Sequence, residues 1–158
     1  MKEAFTRKSL LILGRGIGQV MFQNNALSGL LMLIGIFLNS WQMGLLAVSG
    51  NIISTLTARI SGYDCDDIKN GLYGFNGTLV GIAVGVFMLL TVSSLMLMAI
   101  ASCASTYIAR FFNMQRMLPG FTTPFILSVW MLLGLCSWLM PDMPVSYTHL
   151  RAHETDQY

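Results

Sequence analysis

GLYGFNGTLVG, residues 71–81, is the stretch whose reading decides the fold. An acidic loop, Asp64 to Asn70, runs into it, and an apolar helix leaves it carrying Gly77, Gly81 and Gly85 one turn apart. Small residues at that interval let a second helix come very close. Polar and aromatic groups at the mouth of such a helix point to a solute path, because irregular backbone at membrane depth persists only where protein covers it or it lines a cavity.

Composition agrees with a membrane setting. Hydrophobic residues make up 54% of the chain and charged residues 10%, against about 25% charged in an ordinary globular domain. A net charge of +2 is too small and dispersed for a nucleic-acid partner. Cys65, Cys103 and Cys136 have neither the spacing of a disulfide framework nor that of a zinc site. His149 and His153 are a lone pair, so no metal and no cofactor is expected. No nucleophile–base pair stands out either, and an enzyme is not expected.

Charge-free runs count the crossings. Gly16–Ala58, Asn70–Ala109 and Met117–Pro141 hold 43, 40 and 25 residues without a charge. At about 20 residues per helical crossing they make two, two and one, with helices near 25–39, 42–60, 76–91, 94–113 and 122–140. The expectation is an all-α membrane protein with five transmembrane helices. Basic residues from Lys2 to Arg116 fall on one side of that arrangement, which makes the N-terminus cytoplasmic. The short N-terminus fits a multi-pass protein of a bacterial inner membrane.

Before the first crossing, Leu10 to Asn25 reads LLILGRGIGQVMFQNN. Gly14, Gly16 and Gly18 lack the strand–helix context and the later acidic residue of a dinucleotide site. Gln19, Gln23, Asn24 and Asn25 lie in an uncharged run and need partners, since a buried unpaired amide costs about 1–3 kcal/mol. A re-entrant half-helix that dips into the membrane and returns meets that need; a helix end with hydrated amides is the plainer reading. Asn51 reads as a bond between helices, Asp64, Asp66 and Asp67 as a solvated loop, and Asn76 as a helix start. In Leu118 to Phe125, LPGFTTPF, Pro124 fits a first helical turn, and Thr122 serves equally as cap or pore lining.

These three stretches, in this order, resemble the urea transporter family: GQVMFQNN from Gly18, GLYGFNGTLVG from Gly71, and the signature LPxxTxPF at Leu118, Pro119, Thr122, Pro124 and Phe125. The resemblance implies passive, selective permeation of urea through a pore built from two inverted repeats, each of five helices and a re-entrant half-helix, in a homotrimer. It implies substrate contacts at Gln19 and Val20 on the re-entrant segment, an aromatic slot at Phe22 and Phe75, a constriction at Leu79 and a mid-pore hydroxyl at Thr122. Residues 1–143 correspond to the first repeat. After Pro141 the chain turns polar, and residues 144–158 are expected to be a disordered or non-native tail. Half the pore is then absent, and the chain alone is expected to be inactive without a second repeat or a second copy. A channel for another small amide or ammonia, and a non-transporting assembly subunit, are the readings left beside it.

Overall fold

The computed structural model describes residues 2–115 and 120–139, and every element among them is a helix. In chain order these are α1 (Lys2–Gly18) with a 3-10 turn at Gln19–Met21, α2 (Ala26–Asn39), α3 (Trp41–Ile60), the one-turn α4 (Cys65–Lys69), α5 (Gly74–Phe87), α6 (Val92–Gln115) and α7 (Thr123–Leu139).

Helix limits follow from capping. Asn25 Oδ1 accepts the Leu27 amide at 2.9 Å and starts α2. Ser40, extended between α2 and α3, accepts the Met43 amide at 3.4 Å. Thr91 and Ser94 exchange side-chain and backbone bonds, Thr91 N to Ser94 Oγ at 2.9 Å and Ser94 N to Thr91 Oγ1 at 3.2 Å, which opens α6. Such reciprocal pairs satisfy amides that the first helical turn leaves without partners.

Three expectations change. The third predicted helix, 76–91, is α5 and ends at Phe87, because Met88 is extended and Thr91 is committed to the α6 cap. The basic entry and the half-helix are one continuous α1 from Lys2, and the amide-rich part leaves it as a 3-10 turn. The acidic loop contains α4: Asp64 accepts the amides of Asp66 and Asp67 at 2.8 and 3.2 Å. Those bonds, Asp67 first, hold the Asp64 carboxyl below the usual carboxylate range.

The centre of the bundle is the α3–α5 seam. A methyl on Gly50 would strike the Gly77 carbonyl, one on Gly77 would strike Gly50 O and Ser54 Oγ, and one on Gly81 would strike Leu46 O. The glycine spacing read in the sequence is thus the contact surface of two backbones. Above it Leu46, Val80, Val84, Met98, Val129 and Leu132 form an apolar core shared by α3, α5, α6 and α7. Below it the seam is polar. Asn51 is fully buried and donates from Nδ2 to Leu13 O at 3.1 Å and to Thr78 Oγ1 at 3.0 Å, while Thr55 Oγ1 donates to Asn51 Oδ1 at 3.3 Å. Ser54 Oγ donates to Ser102 O at 2.9 Å and ties α3 to α6. Asn51 therefore joins α1, α3 and α5, as its place in an apolar helix implied.

Two helices, Trp41–Ile60 and Val92–Gln115, are long and apolar enough to cross a membrane. Lys8–Met21 and Ala26–Asn39 pass together as a pair bent by 74°, which brings the number to three. Gly74–Phe87 and Thr123–Trp138 are shorter apolar helices; 14 residues rise only about 21 Å against a hydrocarbon core of about 30 Å. The tail, 144–158, lies outside the described residues.

Candidate functional site

The bend between α1 and α2, the start of α5 and the start of α7 converge on one cavity of about 230 Å³. Gly71 makes the approach feasible. It has φ +77°, and any side chain there would run into the backbone of Arg15 and Gly16; only glycine takes that conformation freely against another chain segment. Through this contact the loop before α5 reaches the end of α1. Arg15 Nη1 donates to Lys69 O at 3.2 Å, Gln19 Nε2 to Asn70 O at 3.0 Å, and Asn24 Nδ2 to Asn70 Oδ1 at 3.1 Å. On the far side Asn76 Oδ1 accepts the Phe125 amide at 3.1 Å and ties α5 to α7.

Gln19, Phe22 and Phe75 all line this cavity, together with Leu72, Asn76, Ala109, Asn113, Gly120, Phe121 and Pro124. Val20, Leu79 and Thr122 do not. Val20 and Thr122 are half-buried beside lining residues, and Leu79 is half-buried one turn further along α5. Among the described residues the lining carries amides, aromatic rings and aliphatic carbon, and no ionisable side chain. With one N–H given to Asn70 O, the Gln19 amide keeps its Oε1 acceptor and a second N–H without a protein partner among the described residues. The wall can take hydrogen bonds from a neutral solute and stack on a flat one, and it offers nothing to offset the dehydration of an ion.

Phe121 is the residue that sequence reasoning passed over. Its ring meets Phe22 edge-on, with centroids 5.7 Å apart. Both residues have left-handed backbone, φ 38° for Phe121 and 56° for Phe22, a conformation that a bulky side chain adopts at a cost of about 1–3 kcal/mol. Both rings remain largely exposed, at 56% and 64%. Strained backbone that holds two exposed aromatic rings together is a feature associated with ligand sites. Its one signal in the sequence was the place of Phe121 inside LPGFTTPF; the sign of φ cannot be read from residue type.

Residues 10–156 match the family described as "Urea transporter". The chain belongs to the urea transporter family. The match runs on through the polar stretch that begins at 144, which the sequence reading had set apart. Among curated urea transporters, Urea transporter 1 of Ovis aries is 34% identical over 140 residues, covering 82% of this chain and 35% of that protein. Urea transporter 1 of Mus musculus is 44% identical over 73 residues, covering 46% of this chain and 19% of that protein. The chain thus spans about a third or less of the urea transporters it matches.

Proposed function

We propose that this chain supplies one half of a urea-permeable pore in a cell membrane, with the cavity at Gln19, Phe22 and Phe75 as its share of the solute path. In this reading α2, α3, α5, α6 and α7 are the five membrane helices, with the 14-residue α2 and α5 completed by the segments that flank them, the bent end of α1 is the re-entrant segment, and a second repeat or an inverted second copy closes the cavity. Homotrimers of the completed pore follow from the family resemblance.

The observation that carries the proposal is the convergence of three stretches distant in sequence, at Gln19 and Phe22, at Phe75 and at Phe121, on one uncharged cavity. Urea is flat and neutral, with one carbonyl oxygen and two amino groups. Phe22 and Phe75 give it faces to slide between, and Gln19 Oε1 accepts from an amino group in place of water. Thr122, whose hydroxyl both donates and accepts, and the hydrophobic Val20 and Leu79 belong to the path as residues that meet urea beyond the cavity.

Stopped-flow urea flux into liposomes tests this, comparing the chain alone with the chain supplied with a second repeat. Rapid, saturable urea entry, indifferent to proton and sodium gradients and requiring the second half, is expected. Phe75→Ala should remove it. Uptake driven by either gradient, or ammonia flux with no urea flux, overturns the proposal.

A further inference from the structure

A second cavity, of about 510 Å³, opens where α1, the end of α3 and α4 meet, on the other side of α1's contact with the loop. Its chemistry is opposite to that of the first. Lys8, Arg15, Arg59 and Lys69 line it, and Leu11, Ile12 and Ile68 supply an apolar wall. Four cations from three separate elements face one space, and the charge is unevenly compensated. Lys69 Nζ is paired with Asp66 at 2.8 Å, whereas Arg15 donates to a neutral carbonyl, Lys69 O. Asp64, which caps the same short helix, interacts with Lys69 and then with Arg110, and Asp67 interacts with Arg110, so the nearby carboxylates compensate Lys69 and not Lys8, Arg15 or Arg59. Among the described residues no carboxylate lines the cavity.

A cluster of cations over an aliphatic wall matches an amphiphile. We propose that this cavity seats an anionic phospholipid, with its phosphate among Lys8, Arg15 and Arg59 and an acyl chain running out over Leu11 and the neighbouring exposed Leu10. A free phosphate would use the cations but leave the aliphatic wall facing water. Basic pockets between membrane helices take anionic headgroups by this combination of charge and apolar surface. The seat does not depend on what the pore conducts.

Native mass spectrometry of the full chain, released from micelles containing equal phosphatidylglycerol and phosphatidylcholine, tests this. Phosphatidylglycerol should be retained in preference. Each of Lys8→Gln, Arg15→Gln and Arg59→Gln should reduce that preference about fivefold, the factor that corresponds to about 1 kcal/mol per basic residue near an anionic surface. Asp66→Asn should raise it, because Lys69 then loses its counter-charge; a gain cannot come from misfolding. Equal retention of the two lipids, unchanged preference in all three Gln variants, or a lower preference in Asp66→Asn overturns the proposal. Displacement of phosphatidylglycerol by millimolar inorganic phosphate also overturns it and assigns the cations to a free anion.

Discussion

The α3–α5 seam and the cavity at the α1 bend use similar residues to opposite ends. In the seam, Asn51, Thr55, Thr78 and Ser54 are buried and bonded to one another or to the backbone, and glycines bring two helices to backbone contact. In the cavity, Gln19 uses one N–H on Asn70 and keeps its acceptor, and Phe22 and Phe121 hold their rings largely exposed on left-handed backbone. A polar group whose bonds are complete stabilises the fold. One held in place but incompletely bonded can bind a solute. The contrast lets structure and function be separated by substitution.

The largest effect is expected from Gly77→Leu, which forces a side chain into Gly50 O and Ser54 Oγ. Overpacking against backbone should cost about 3 kcal/mol or more, seen as loss of the monodisperse folded species in size-exclusion chromatography. Asn51→Leu comes next. It leaves Leu13 O and the Thr55 hydroxyl without this partner and removes the bond that the Thr78 hydroxyl accepts, and a loss of about 2–3 kcal/mol in thermal or denaturant unfolding is expected. On the cavity side the outcome should reverse. Phe22→Ala removes a ring that is 64% exposed, so stability should hold within about 0.5 kcal/mol while urea flux through the completed pore falls steeply. A stable, fully conducting Phe22→Ala, or a strongly destabilised one, would erase the distinction.

Much of this was legible in the sequence because the determinants are local. Ser40 and the Thr91–Ser94 pair mark helix limits by side-chain chemistry, and a small residue every fourth position marks a close crossing. What was not legible depended on partners far along the chain. The length of α1 was hidden because Gly14 and Gly16 were weighed only as a dinucleotide pattern, while in the fold Gly14 sits inside α1 and abuts Ala26 and the backbone of Gly29. Of the candidate site, Gln19, Phe22 and Phe75 share the cavity; Phe121 escaped because its role depends on a backbone angle and on a ring 99 positions earlier.

The smallest effect is expected at α4, outside both regions. The amides of Asp67 and Asp66 lower the Asp64 carboxyl, so its contribution is complete above the unfolded value of about 3.9 and is lost as pH falls through the lowered folded value. Asp67 is raised, by burial and then by Asp64; it opposes folding once ionised, and the two partly cancel. Asp64→Ala should lower the thermal midpoint at pH 7, by a margin that narrows as the solution is acidified. A margin that widens on acidification would contradict the sign.

The 74° turn between α1 and α2 has an electrical consequence. A helix ends in about half a negative charge and begins in about half a positive one, and at this turn an end and a beginning lie side by side around Gln19–Asn25. The two partial charges form a short local dipole with almost no net monopole. A dipolar molecule can align in such a field as it passes, whereas a cation and an anion each meet one attractive pole and one repulsive pole, and neither is drawn in.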